Sequence, residues 1–248
     1  MADAPSTTPI VVGLNAVIVA VTAERPRVLT VQRPGRDGDE VALPFGPLDA
    51  ERDRTLELAV RGWVREQAGV EVGYVEQLYT FGDRHRDPRE RLGGPRVISI
   101  GYLSLALEAA SSPGAGASWR DWYDFLPWED WRGGRPRVLA ETIEPALRAW
   151  SERADSPTAR RGRSERMDIA FGLGGAPWDG YRVLDRYELL YEAGLVAEAH
   201  RDAGSAVDEG PGADGHGRTM RFDHRRILAT AIQRLRGKIK YRPVVFEL

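Results

Sequence analysis

Cysteine is absent from all 248 residues. That excludes a disulfide framework and any thiolate metal site. Lysine is nearly absent. It stands only at 238 and 240, so 33 of the 35 basic residues (35 − 2) are arginine. A long apolar run is also missing. The stretch Gly13–Val21 is apolar but far below the ~20 residues that a membrane-spanning helix needs. The start Met1-Ala2-Asp3-Ala4-Pro5 has no basic segment ahead of an apolar core, so it does not read as a signal peptide. Charge of one sign is lacking too. The net charge is −2, and no global basic field draws nucleic acid to the chain. A cytoplasmic protein with no membrane partner is expected.

What is present fits a globular protein. An apolar fraction of 42% and a charged fraction of 29% are ordinary, and the length suits one large domain or two small ones. Val and Ile dominate residues 9–21, which read as a buried strand. Val28–Arg33 reads as its antiparallel partner, and Gly35-Arg36-Asp37-Gly38 as a turn leading to Val41–Pro44. Leu56–Ala68 has helical spacing, with Leu56, Ala59, Val60, Trp63 and Val64 on one face and Gly69 as a C-cap. Val75–Phe81 and Arg96–Leu107 read as strands, the second buried on both faces. This β-β-α-β-β order predicts an α/β/α sandwich around a mixed sheet, with a helical C-terminal extension.

The second half is less periodic. Residues 111–117 read as a loop, and the tryptophans at 119, 122, 128 and 131 as core or dimer interface. Val138–Arg153 reads as a helix flawed by Pro145, and Asp155–Ser164 as a mobile Arg-rich stretch. Asp185–Ala193 reads as a helix closed by Gly194. Residues 202–219, rich in Gly, Asp and Ala, are expected to be disordered. A last helix runs from about Asp223 to Lys240, with Ile227, Leu228, Ala231, Ile232 and Leu235 as its apolar stripe. Val244–Leu248 looks like an incoming strand, from which a longer natural chain is expected.

The helix at 56–68 carries the chemical signal. Its sequence Thr55–Val70, after Leu43-Pro44-Phe45-Gly46, resembles the Nudix box of pyrophosphohydrolases. Anchored on Gly69-Val70, the resemblance puts Gly62 where that box has Arg. It puts Trp63, Glu66 and Gln67 where the box has three glutamates. Carboxylates spaced by three and four residues on a helix converge on one magnesium ion. Here Glu66 alone remains as a weak, vestigial ligand, because Trp63 offers no oxygen and Gln67 no charge. No catalytic residue is assigned and no cofactor is required; weak magnesium binding is the most that Glu66 allows. A second patch, Gly82–Arg89, sets Arg84, His85, Arg86 and Arg89 around Asp87. Arginine pairs bidentately with phosphate, so this loop suits an anionic ligand. It equally suits a solvated turn, with Asp87 capping it ahead of Pro88.

Leu78–Asp83, Arg86-Asp87-Pro88-Arg89, Arg96–Leu103, Phe222–Ile227 and Leu235–Pro243 together resemble the Nudix-related transcriptional regulators of NAD metabolism. The stretches Ala170–Trp178 and Arg186–Leu195 resemble the long alphaproteobacterial version of that family. The resemblance implies an effector domain similar to ADP-ribose pyrophosphatase over 1–135, a helical insert over 136–201 and a disordered loop over 202–219. It further implies a linker helix over 220–248, ahead of a winged helix beyond this chain. It implies an ADP-ribose-like effector, a homodimer, and operator DNA bound through the further domain, as in a repressor. Arg84, Arg86 and Arg89, with Asp87, are the expected diphosphate contacts. The alternative is an active, magnesium-dependent Nudix hydrolase drawing acids from Glu51, Asp53 or Glu90.

Overall fold

In a computed structural model the described residues are 9–35, 38–84, 90, 93–108, 113–204 and 216–241. They form two compact units. One comprises Met1–Arg120 with Arg221–His224, the other Asp121–Met220 with Arg225–Leu248.

The first unit is built on a mixed, seven-stranded sheet. Its strands are β1 (Ile10–Thr22), β2 (Arg25–Pro34), β3 (Asp39–Ala42), β4 (Phe45–Pro47), β5 (Val75–Phe81), β6 (Arg96–Leu105) and β7 (Ala117–Asp121). The order is β3-β2-β1-β6-β5, with β4 paired to β1 and β7 to β2. β1 and β6 run parallel from Ile10↔Arg96 to Val19↔Leu105. β1–β2, β1–β4, β2–β3 and β5–β6 are antiparallel. A parallel central pair needs a crossover, and the chain supplies one through the helix α1 (Leu56–Ala68). The protein is therefore of the α/β class with a mixed sheet, as its element order predicts.

Alternation along β1 explains its place. Leu14, Ala16 and Ile18 join Leu29, Val31, Ile100 and Tyr102 in one core cluster, against Ala59, Val60, Val64 and Ala68 of α1. Val17 and Val19, on the opposite face, are buried as well. α1 begins at Thr55, whose side chain accepts from Leu58 N–H, and ends at Gly69 in the left-handed region at φ 67°. Both ends fall where capping chemistry puts them. β7, in a region expected to hold only a tryptophan cluster, extends this sheet. Thr30 Oγ1 donates to Ser118 O at 3.0 Å, and Trp119 packs on the core cluster.

The second unit is helical. A π-helical turn (Leu139–Ile143) leads into α2 (Glu144–Glu152). Pro145 lies in the first turn of α2, directly after the π-helical turn, so the helix is irregular where the proline stands without being broken by it. α3 (Pro157–Phe171) corrects the expectation of a mobile stretch over 155–164. Ser156 caps it by accepting from Ala159 N–H, and Pro157 occupies its first turn. Arginine is a good helix former, and low apolar content had hidden the signal. α4 (Val183–Glu192), α5 (Ala197–Ala203) and α6 (His224–Tyr241) follow. Asp202 and Ala203 belong to α5, and Asp202 accepts from the Tyr191 hydroxyl at 2.9 Å. Arg218 N–H donates to Asp124 O at 2.8 Å, so the ends of the 202–219 stretch are ordered; 205–215 lie outside the described residues. Residues 242–248, the expected incoming strand, lie outside them too.

Buried charge ties this unit together. Glu129 is almost fully buried and takes Arg186 Nε at 2.5 Å; Arg236 reaches the same carboxylate. Arg186 also donates to Ala170 O and Asp179 O, both at 2.9 Å, and lies 3.9 Å from the Trp178 ring centre. Arg225 pairs with Glu198. Arg186 makes its burial tolerable by pairing with both Glu129 oxygens and donating to two carbonyls. Trp122 and Trp128 are core here, and Trp131 packs on Trp178 at 4.5 Å.

Candidate functional site

Of the three altered positions on α1, two face β4 and bind it. Trp63 Nε1 donates to Pro47 O at 3.1 Å. Gln67 brackets one residue: its Oε1 accepts from Phe45 N–H at 3.1 Å, and its Nε2 donates to Phe45 O at 2.6 Å. Carboxylates at 63 and 67 would make none of the donor contacts. The Trp63 ring lies flat against Gly46. A Cβ at 46 would stand 2.0 Å from Trp63 Cε2, so only glycine permits the approach. At position 62 the glycine faces open space. Glu66 is exposed on the turn between them.

Magnesium does not fit this donor set. The ion wants several oxygen ligands in octahedral array. Position 63 presents an indole and the Gln67 amide is fully engaged by Phe45. Among the described residues, no group of three Asp, Glu, His or Cys stands close enough together to hold a metal ion. Asp53 is likewise engaged, accepting from Asp49 N–H at 2.8 Å, and Glu90 accepts from Val97 N–H at 2.8 Å. Neither converges with Glu66 in such a group.

β4, held in this way, forms one wall of a pocket of about 340 Å³. The floor is one face of the parallel pair: Val11, Gly13 and Asn15 from β1, Val97 and Ser99 from β6. The alternation that buries Leu14 and Ala16 under α1 turns these residues the other way. The remaining wall is Phe222, Asp223 and His224. That segment is pinned to the sheet by Arg221 N–H donating to Val41 O at 2.8 Å and by Leu43 N–H donating to His224 Nδ1 at 3.0 Å. The second bond requires an unprotonated Nδ1, so the neutral ring carries its proton on Nε2. Phe222 sits at φ 51°, a conformation that costs a non-glycine residue roughly 1–3 kcal/mol. It brings three rings together. Phe45–Phe222 are 5.7 Å apart at 88°, Phe45–His224 are 4.9 Å apart at 70°, and the Arg221 guanidinium lies 4.7 Å from the Phe222 centre.

Asn15 is the last β1 residue of the floor, beside Phe45 of β4. It is 4% exposed, and among the described residues its carboxamide has no hydrogen-bond partner. Sequence reasoning passed over it because it sits within an apolar strand. A polar side chain amid Leu14, Ala16 and Val17 was the signal.

Of the expected diphosphate contacts, Arg84 is exposed just beyond the end of β5. Arg86, Asp87 and Arg89 lie outside the described residues. β5 ends at Phe81, opposite Ser99, and β6 begins at Arg96, opposite Ile10. The described flanks of this loop, Phe81 and Arg96, therefore lie at the end of β6 whose Val97 and Ser99 line the pocket. None of the four clustered tryptophans lines the pocket.

Fold and site define a class: an α/β protein with a mixed sheet and an aromatic, partly polar pocket on its central parallel pair. Among solved structures the chain is similar to the Nudix domain of Shewanella oneidensis NrtR complexed with ADP ribose. The two are 24% identical over 51% of this chain and 82% of that one, with a TM-score of 0.43. It is also similar to Shewanella oneidensis NrtR itself, at 22% identity over 72% and 84% with a TM-score of 0.42. A MutT/nudix family protein from Enterococcus faecalis is 25% identical over 48% and 46%, with a TM-score of 0.39. No protein-family model and no curated protein matches the chain. Among the described residues, no helix is long and apolar enough to cross a membrane.

Proposed function

We propose that this chain is the effector-binding part of a Nudix-related transcription regulator of NAD metabolism, and that it holds an ADP-ribose-like nucleotide without cutting it. One observation carries the reading. Two positions where a hydrolase of this pattern has metal-binding acids are occupied by Trp63 and Gln67, which bond β4 directly. A pyrophosphate-cleaving site of this kind works by gathering carboxylates around a cation that activates water. This helix instead fastens one wall of a pocket. That arrangement supports binding and works against turnover. The motif resemblance supports the ligand class, and the arginines at 84, 86 and 89 supply its diphosphate contacts, with Asp87 between them. Operator DNA is bound by a further domain of a homodimer, and the nucleotide biases the dimer by binding one of its states more tightly.

The test pairs a melting curve with a turnover assay. ADP-ribose should raise the melting temperature with or without magnesium, while release of AMP and ribose 5-phosphate stays at background. Rapid cleavage abolished by Glu66→Gln would replace the sensor with a hydrolase. If no NAD-related nucleotide moved the melting temperature, the ligand-binding reading would fall.

A further inference from the structure

The pocket's lining is more specific than a generic apolar cleft. Its one deeply buried neutral amide, Asn15, has hydrogen-bonding capacity that the described protein does not use. A carboxamide offers a donor and an acceptor side by side, in one plane. Its natural complement is a planar group with an acceptor beside a donor. Asparagine meets the N7 and N6 edge of adenine in just this bidentate way. The rings of Phe45, Phe222 and His224 form the adjoining wall. Aromatic side chains are the usual platform for a base. The volume of about 340 Å³ is at the low end of small-molecule sites, which run from about 300 to 1,000 Å³. It accommodates a base with part of its sugar, and leaves a diphosphate outside.

We infer that this pocket is an adenine site, in which Asn15 reads the N6/N7 edge and Phe45 and Phe222 supply the stacking surface. This rests on the nucleotide reading above and adds where the base goes and what recognises it. Asn15 is then a specificity-determining residue. The phenylalanines contribute affinity without choosing the base, since every base has a π face. The left-handed Phe222 fits the same role, because its backbone conformation turns the ring toward Phe45. Hypoxanthine is the informative competitor. It keeps N7 but presents an oxygen at position 6, which would face the Asn15 carbonyl oxygen. A site built around a hydrogen bond rejects the analogue that cannot make it.

Calorimetric titration of the full chain with adenosine, inosine, ADP-ribose and its hypoxanthine analogue tests this. The native chain should bind the adenine member of each pair at least ~10-fold more tightly. Asn15→Ala should lose that preference, weakening the adenine ligand ~10-fold and the hypoxanthine ligand little. Phe45→Ala should weaken both alike and keep their ratio. Asn15 is buried, so a variant that fails to fold is backed by a measurement on the native chain. Photo-cross-linking with 8-azidoadenosine should label Phe45, Phe222 or His224. Equal affinity of the native chain for both bases, or labelling confined to other residues, overturns the adenine site. If ADP-ribose binds while the base preference is absent, this inference fails and the sensor reading stands. If adenosine binds here but ADP-ribose does not, the sensor reading fails and the adenine site stands.

Discussion

Trp63 and Gly46 behave as one unit, since the indole lies where any Cβ at 46 would go. Gly46→Ala should cost about 1–3 kcal/mol through overpacking. Trp63→Ala should cost a comparable amount through lost contact and a lost hydrogen bond. The double variant should cost little more than Trp63→Ala alone, because the clash disappears with the ring. Urea denaturation of the three variants measures this, and simple additivity would show that the two residues are independent. Gln67 gives a second expectation. In Gln67→Glu the new carboxylate would face Phe45 O, which now accepts from the amide. Losing that donor should cost about 1–3 kcal/mol at neutral pH. Repulsion and lost solvation raise the folded pKa of the new acid, so its protonated form can donate to Phe45 O again. The deficit should therefore be small below the ordinary glutamate value and open as pH rises through the folded one. A deficit that does not change with pH would mean the side chain has turned to solvent.

At the scale of elements, α3 and α4 are joined by Arg166 and Glu192, whose guanidinium and carboxylate meet at 2.5 and 2.8 Å. The hydrogen bond from Arg166 holds the Glu192 carboxyl below its ordinary value, against a smaller opposing effect of burial. A lowered folded pKa means the bridge stabilises above the ordinary value and is lost as pH falls through the folded one. Both side chains are about half exposed, so solvent screening limits the pair to at most about 1 kcal/mol. Chemical denaturation of the native chain and Glu192→Gln should differ by up to that amount at pH 7 and converge in acid. Most elements were legible in the sequence because their signals are local. The bounds of α1 and β5 follow from the Thr55 cap, Gly69 and residue periodicity. α3 was legible in principle from Ser156-Pro157, but its arginines masked an otherwise ordinary helix. β7 had no local signal, since five half-buried residues become a strand only when β2 is there to pair with.

For the whole molecule, charge and site make different demands. With a net charge of −2 the chain lacks the basic field that holds DNA. On its own it should bind duplex DNA no better than ~10⁻⁴–10⁻⁶ M at physiological salt, the range of non-specific association. Gel-shift titration reads this directly, and nanomolar binding would show that this chain itself contains a DNA reader. The nucleotide should behave differently. At 100 times its dissociation constant, ADP-ribose should add about 2.7 kcal/mol of stability, seen as a concentration-dependent rise in melting temperature.

By itself the sequence determined the α/β class, the helix with its missing acids, the arginine-bearing loop and the apolar stripe of the last helix. Each of these is written within a dozen or so neighbouring residues, as spacing, capping and charge. Only the tertiary structure decided what the altered helix positions do. Trp63 and Gln67 look like losses until β4 is found beneath them, bonded at Phe45 and Pro47. The pocket was hidden for the same reason. Its walls come from strands far apart in the chain and from Phe222–His224, which belong to the first unit although some hundred residues of the second unit precede them. Periodicity records which face of an element is buried. It does not record which distant side chain lies opposite, because that depends on sheet register and chain return, fixed only when the whole polypeptide has folded.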